Sequence, residues 1–192
     1  RFSEYLYTDD FNYERYAILY KSIATNIFDY KAFKTVDIQM GGVVVAQLYF
    51  RLNAVLYYIT GSVVSLRVAN AFFSSLTIIP IYLICKELYG VKSAKISTII
   101  FSVLPYHFLM SSFLFKDSLI VLLMSFALYY ILRFYRAGKL KIISFLLVTI
   151  PQEWLRNGNP LFLFGILGLA IFLRLYKRNK TIRILGFIVL PV

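Results

Sequence analysis

The residues best suited to chemistry are two adjacent carboxylates, Asp9 and Asp10, near the beginning of the chain. Neighbouring carboxylates can bind a divalent cation through their oxygens, or one of them can act as a general base. Aspartate is also a common helix cap, and a helix is predicted over Phe11–Asn26, directly after Thr8 and this pair. Capping and chemistry are therefore two open interpretations of the same residues.

A third carboxylate, Asp117, follows Lys116 in a very short polar turn between two apolar runs. Charged groups beside a membrane are costly, so they often mark a functional site. In the alternative interpretation the turn pairs with itself, Asp117 caps the next helix and Lys116 extends to the lipid headgroups. The sequence alone leaves both interpretations open.

Two arginines, Arg67 and Arg156, are predicted at the same side of the membrane as the carboxylates. An arginine there can hold a phosphate through two parallel hydrogen bonds, or it can anchor its helix to lipid phosphates. The single histidine, His107, is expected to form a hydrogen bond between helices. The single cysteine, Cys85, excludes an intramolecular disulfide and a two-cysteine metal site.

Membrane-spanning helices are the elements that must position these side chains. Three apolar runs, Val68–Cys85, Ile96–Phe115 and Ser118–Leu132, carry no formal charge. At about 1.5 Å per residue in a helix, their lengths approach the ~30 Å hydrocarbon core of a bilayer. They predict three spans.

Two later apolar runs, Ile142–Ile150 and Leu161–Leu173, are shorter than the length that a straight spanning helix requires. The polar stretch Gln152–Asn159 between them is predicted to dip below the membrane surface. Polar backbone at that depth is tolerated only in a water-filled cavity or inside the protein.

The net charge of +12 is distributed unevenly over the loops. Basic loops occupy Lys86–Lys95, Arg133–Lys141 and Arg174–Arg183, whereas Lys116-Asp117 and Gln152–Asn159 are neutral. Because lysine and arginine are retained in cytoplasmic loops, the basic loops are predicted inside and the neutral ones outside. This alternation indicates a multi-pass plasma-membrane protein. It also argues against nucleic acid as a partner, since the charges bracket apolar spans instead of forming one soluble basic face.

The sequence therefore predicts an all-α protein with two parts. Residues 1–63, with six basic and six acidic side chains, form an extracytoplasmic loop that carries the acidic pair. In this loop, Val43–Thr60 is predicted to be an interfacial helix because Arg51 lies near its centre. Residues 64–192 form a transmembrane bundle that ends inside an apolar run, so we expect an N-terminal fragment of a longer protein, inactive alone.

Several motifs resemble, in order and spacing, the GT-C membrane glycosyltransferases, especially the protein O-mannosyltransferase and aminoarabinose-transferase group. The stretch Asp9–Ala17 resembles the acidic D-[DE]-x-x-Y-x-x-x-A opening of their first outer loop. Ser65–Asn70 and Tyr82–Gly90 are similar to their second span, while Leu104-Pro105 and Asp117 resemble the next spans and the second outer loop. Trp154-Leu155-Arg156 is similar to a later outer arginine, and the departures are Asp10 for the commoner Glu and Asn157 where Pro is frequent.

The resemblance implies a glycosyltransferase that takes its sugar from a polyprenyl-phosphate donor at the outer face. Asp9, Asp10 and Asp117 would be catalytic, and Asp9 and Asp117 would hold a divalent cation, Mg²⁺ or Mn²⁺, if one is used. Arg67, Lys116 and Arg156 would bind the donor phosphate. Membrane lipids are further partners, and the acceptor is left open. The competing interpretation is a non-enzymatic transporter or structural membrane subunit.

Overall fold

The computed structural model describes residues 8–42, 46–104, 112–138 and 141–178, with the side chains of residues 8, 9, 177 and 178 left out. This part of the chain is helical and contains no strand, so the predicted all-α class is confirmed. In chain order its elements are α1 (Thr8–Ile23), α2 (Tyr30–Gln39), α3 (Gln47–Thr60), α4 (Val63–Leu76), α5 (Ile78–Ser102), α6 (Lys116–Ala137), α7 (Ile142–Thr149), a 3-10 turn (Ile150–Gln152) and α8 (Asn159–Arg178).

Among the described residues, three helical stretches are long and apolar enough to cross a membrane. They are Val63–Ser102, which contains α4 and α5, Lys116–Ala137 and Asn159–Tyr176. Each exceeds the length of about 17 residues that a spanning helix needs. The chain is therefore a multi-span membrane protein.

The basic stretch Lys86–Lys95 is not the loop that the charge pattern predicted. It lies within α5, and only Gly90 leaves the helical region, at φ 86° and ψ 178°. Lysine and glutamate are good helix formers, so a single glycine is enough to redirect the chain here. The predicted span Ile96–Phe115 was wrong, because α5 ends at Ser102 and residues 113 and 114 form a turn. Pro105 and His107 lie outside the described residues.

The last two apolar runs differ from each other. The first forms α7, only eight residues long, as predicted. The prediction for Leu161–Leu173 was wrong, because α8 extends from Asn159 to Arg178 and has twenty residues. The helix continues through charged residues at its end because long basic side chains can reach beyond the apolar region. Pro160, in the first turn, is tolerated where helical N–H groups have no partner.

The predicted extracytoplasmic loop contains a packed three-helix unit, α1–α3. α1 begins three residues earlier than predicted, and α3 begins at Gln47. Tyr13 and Tyr16 of α1 contact Phe50 of α3, with ring centroids 4.5 and 5.0 Å apart. α2, which packs on α1, was not predicted. The interfacial position of α3 stays a prediction.

Two apolar cores lie at the two ends of α6. The first joins α1–α3 to the start of α6 and includes Leu114, Leu119 and Leu155. The second joins the later part of α6 to α7 and α8. Near that second core, Arg174 donates a hydrogen bond to the carbonyl of Phe134 and lies over its ring. We call the two ends of the bundle the Asp117 end and the Arg174 end.

Candidate functional site

Asp10 lies at the centre of a polar cluster at the Asp117 end. Its side chain is fully buried in α1. One carboxylate oxygen, Oδ2, pairs with Nη2 of Arg67 at 3.3 Å, and the other, Oδ1, accepts a hydrogen bond of 3.0 Å from the backbone N–H of Leu114. Both oxygens therefore bind other parts of the chain. The capping interpretation is wrong for Asp10.

Asn70 of α4 holds the same turn from its other side. Its Nδ2 donates to the carbonyl of Phe113, and its Oδ1 accepts a hydrogen bond of 3.1 Å from the hydroxyl of Tyr49. Asn53 in turn donates to the backbone carbonyl of Tyr49 at 3.0 Å. The peptide group between Phe113 and Leu114, just before the start of α6, is thus held by buried side chains from α1 and α4.

Asp117 lies in the first turn of α6, whose N-cap residue is Phe115. Its half-buried carboxylate has no described hydrogen bond or ion pair, and Lys116 is not among its partners. The self-paired and capping interpretations of this turn are therefore wrong. A carboxylate in the first turn is stabilised by the helix dipole and remains available to a ligand.

The charges of Asp10 and Asp117 both act on Tyr49, whose hydroxyl donates its hydrogen bond to Asn70. Burial raises the pKa of Tyr49 most, a hydrogen bond with Asn53 opposes the shift, and the negative charges of Asp10 and Asp117 raise the pKa further. Both carboxylates must lie close to the phenol for their charges to act on it. Asp10 and Asp117, more than a hundred residues apart in the chain, therefore lie at the same end of the bundle.

Arg67 faces the protein through its bond to Asp10, which makes lipid anchoring the weaker interpretation of this residue. About 36% of its side chain remains exposed. Its Nε is buried without a hydrogen-bond partner. The guanidinium therefore has hydrogen-bond donors that its ion pair with Asp10 does not use.

Arg156 lies in the turn between the 3-10 element and α8. Its backbone N–H bonds to the carbonyl of Gln152 at 2.8 Å, and its side chain is exposed. The backbone carbonyl of Trp154 accepts a 3.3 Å hydrogen bond from the N–H of Leu48, which places the turn against α3. No contact between Arg156 and the Asp10 cluster is described.

Of the two residues predicted to hold a divalent cation, Asp9 and Asp117, only Asp117 has a described side chain. No group of three His, Cys, Asp or Glu residues that could hold a metal occurs in the described part of the chain. Asp10 is occupied by Arg67 and Leu114, which leaves Asp117. A site shared by Asp9 and Asp117 would need the side chain of Asp9, which lies outside the described residues. Metal dependence stays a prediction.

Sequence reasoning missed three polar residues of the cluster, Tyr49, Asn53 and Asn70. A signal was present, since asparagine within an apolar helix is uncommon and usually bonds across helices. Both asparagines are almost completely buried. Their partners could not have been named, because Asn70 bonds to a backbone carbonyl 43 residues away.

The helices and this cluster together define a multi-span membrane protein with a buried polar site at one end. A family model described as "Predicted membrane protein (DUF2079)" matches residues 46–192, more than half of the chain, and the chain belongs to that family. The match includes Arg67, Asp117 and Arg156 and begins after the acidic motif Asp9–Ala17. No curated protein and no solved structure matches the chain.

Proposed function

We propose that this protein is a membrane glycosyltransferase that transfers a sugar from a polyprenyl-phosphate donor at the extracytoplasmic face of the plasma membrane. The observation that supports the proposal best is the position of Asp117, a carboxylate with no described hydrogen bond or ion pair, three residues after the Leu114 N–H that Asp10 binds. Membership of a membrane-protein family agrees with a lipid-linked donor. The motifs that resemble GT-C enzymes supply the reaction type.

In the proposed reaction, Asp117 accepts the proton of the acceptor hydroxyl. The acceptor oxygen attacks the anomeric carbon, and the bond between that carbon and the phosphate oxygen breaks. The electron pair of this bond leaves with the polyprenyl phosphate, whose negative charge requires nearby cations. Arg67 and Lys116 are positioned at this end of the bundle to supply them. Asp9 remains a second candidate base.

Asp10 has a positioning role in this scheme. Its carboxylate fixes Leu114, three residues before Asp117, and orients Arg67 through the ion pair. A buried carboxylate that is fully hydrogen-bonded is poorly placed to accept a substrate proton. We therefore assign the base to Asp117 and not to Asp10.

A lipid substrate also suits the surface of the bundle. Large apolar side chains are exposed along α8 in the isolated chain, including Leu161, Phe162, Leu169 and Phe172. Such a surface is expected against lipid tails or further helices. A donor with its isoprenoid tail in the bilayer could reach the Asp117 end from the side.

The competing transporter interpretation is disfavoured by the location of the polar groups. Beside the second core, between α6, α7 and α8, the described part of the chain fully buries two polar side chains, Thr149 and Gln152, and no charged one. Transporters hold their substrates near the middle of the bilayer, commonly with polar groups on broken helices. Here the described polar cluster lies at one end.

The test is transfer from a panel of radiolabelled polyprenyl-phosphate sugars by membranes that contain the full-length protein, with the Asp117→Asn variant beside it. The amide removes the charge and changes the size of the side chain very little. Activity should fall by at least ~100-fold, the lower range of general acid–base catalysis. The matched control is Glu153→Gln, an exposed carboxylate at the same end, which should keep wild-type activity. Equal activity of wild type and Asp117→Asn would refute the assignment.

A further inference from the structure

A cleft of about 240 Å³ opens beside the first turns of α3. It is lined by Gln47, Leu48 and Arg51 of that helix and by Trp154 of the turn after the 3-10 element. Its volume is below the ~300 Å³ at which pockets for drug-sized ligands begin. The cleft is therefore large enough for one small ring.

The cleft is separate from the Asp10 cluster. Residues of an α-helix are about 100° apart around its axis, since one turn takes 3.6 residues. Gln47, Leu48 and Arg51 consequently share one side of α3, whereas Tyr49 and Asn53 lie on the nearly opposite side. A ligand in the cleft would not compete with groups at Tyr49.

Trp154 is held in position although 55% of its surface is exposed. Its backbone carbonyl accepts the hydrogen bond from Leu48, and the next residue, Leu155, is completely buried in the first core. The hydrogen bond to Leu48 and the burial of Leu155 together fix the backbone of Trp154. A half-exposed aromatic ring on a fixed backbone is a typical ligand contact, because little conformational freedom is lost when it binds.

The charge at the cleft is largely compensated. Nη2 of Arg51 lies 3.6 Å from Oδ2 of Asp37, whose other oxygen accepts a 2.7 Å hydrogen bond from the hydroxyl of Tyr16. The guanidinium also lies over the ring of Phe33, and 39% of the Arg51 side chain is exposed. A compensated guanidinium still donates hydrogen bonds but attracts a phosphate weakly.

We propose that this cleft binds one neutral saccharide ring. The apolar C–H face of a pyranose can lie on the indole of Trp154, and its hydroxyls can accept hydrogen bonds from Arg51. Binding of the ring does not depend on the proposed transferase activity. If the protein is a transferase, we assign this ring to the acceptor, and that assignment rests on the proposed function. The acceptor would then be a glycan or a glycosylated molecule.

The test uses the fluorescence of Trp154, the only tryptophan in the 192 residues. This chain in lipid nanodiscs is titrated separately with methyl glycosides of glucose, mannose, galactose and N-acetylglucosamine, and with inorganic phosphate. At least one glycoside should shift the emission saturably, and phosphate should not. Arg51→Gln should weaken binding by about tenfold, the loss of one charge-assisted hydrogen bond. The control for the lost charge is Arg15→Gln, since Arg15 is exposed on α1. This variant should bind the glycoside as the wild type does.

Absence of a shift with every glycoside, or an equal shift with phosphate, would overturn the proposal. Circular dichroism of Arg51→Gln checks that α1–α3 remain folded, and Gln47→Ala provides a second variant of the cleft. Glycoside binding by this chain, together with no sugar transfer by the full-length protein, would leave the cleft in place and refute the transferase alone, so the two proposals fail separately.

Discussion

The carboxylate of Asp10 accepts a hydrogen bond of 3.0 Å from the backbone N–H of Leu114, although 104 positions separate the two residues in the chain. The same carboxylate pairs with Arg67. One buried side chain thus connects α1, α4 and the turn that begins α6. The polar end of the bundle depends on this connection, because it fixes the backbone immediately before Lys116 and Asp117.

Replacement of Asp10 by asparagine should destabilise the protein. The amide oxygen can still accept one hydrogen bond, but the partner charge of Arg67 is lost. We expect a loss of about 1–3 kcal/mol, the cost of leaving a partly buried polar group without its partner. Thermal unfolding in micelles measures the effect. If Asp10 were only a helix cap, asparagine would serve about equally well and stability would not change.

A double-mutant cycle separates the ion pair from local effects. Arg67→Met removes the charge that Asp10→Asn leaves unpaired, so the double variant should lose less stability than the sum of the two single variants. If the stability losses of the two single variants simply add up in the double variant, the ion pair between Asp10 and Arg67 contributes nothing to stability.

Much of the fold follows from the distribution of apolar and charged residues. α1, α3, α6 and α7 were predicted within a few residues because their apolar runs end at clear polar signals. The main errors arose where local signals mislead. Charged residues made Lys86–Lys95 look like a loop, although lysine and glutamate are good helix formers. They also made α8 look too short, although long basic side chains can reach beyond the apolar region at the end of a span. α2 was missed because its buried residues, Ala32, Phe33 and Val36, alternate with charged ones.

The candidate site was only partly predictable. The residue types at Asp10, Arg67 and Asp117 indicated a polar site, and the resemblance placed them on the same side. Their pairing could not be deduced, because Asp10 bonds to a backbone N–H that any residue at position 114 would offer. This contact is determined by long-range packing, which cannot be deduced from a single sequence.

The orientation of the chain can be tested by cysteine labelling after replacement of the native thiol, Cys85→Ser. Lys34→Cys, exposed on α2, should react with a membrane-impermeant maleimide in intact cells. Lys141→Cys, exposed before α7, should react only after the membrane is permeabilised, because basic loops are retained in the cytoplasm. Equal labelling of both positions in intact cells would contradict the predicted orientation.

The N-terminus of α2 should become less stable at low pH, because its cap is the carboxylate of Asp29. Hydrogen bonds from Thr25 and then from the backbone N–H of Ala32 lower the pKa of Asp29 from 3.8 to about 2. A carboxylate with a depressed pKa stabilises the folded state above its unfolded pKa, and this contribution is lost as the pH falls through the folded value. We expect weaker amide protection at Thr25 and Ala32 between about pH 4 and pH 2, measured by hydrogen exchange. Asp29→Asn, which does not titrate, should show no change in this range.

The Arg174 end offers a matched pair of glycine substitutions. Gly138 ends α6 at φ 78°, and a Cβ there would collide with the guanidinium of Arg174. Gly138→Ala should therefore cost about 1–2 kcal/mol for the left-handed backbone, in addition to displacing Arg174. Gly165→Ala, inside α8 with no atom within 4 Å of its Cβ, should be neutral or gain up to about 1 kcal/mol. Thermal unfolding measures the stability of both variants. An equal effect of the two substitutions would contradict the described contact between Gly138 and Arg174.

Arg156→Lys should weaken donor use without changing the fold. The side chain of Arg156 is exposed, so the substitution disturbs no described contact. Lysine keeps the positive charge but cannot hold two phosphate oxygens with a planar fork. In the full-length enzyme we expect the KM for the polyprenyl-phosphate sugar to rise about tenfold, equivalent to one charge-assisted hydrogen bond, with kcat little changed. Arg15→Lys on α1 is the control and should leave the KM unaltered. An unchanged KM in Arg156→Lys would remove this arginine from the donor site and leave Arg67 and Lys116 as its cations.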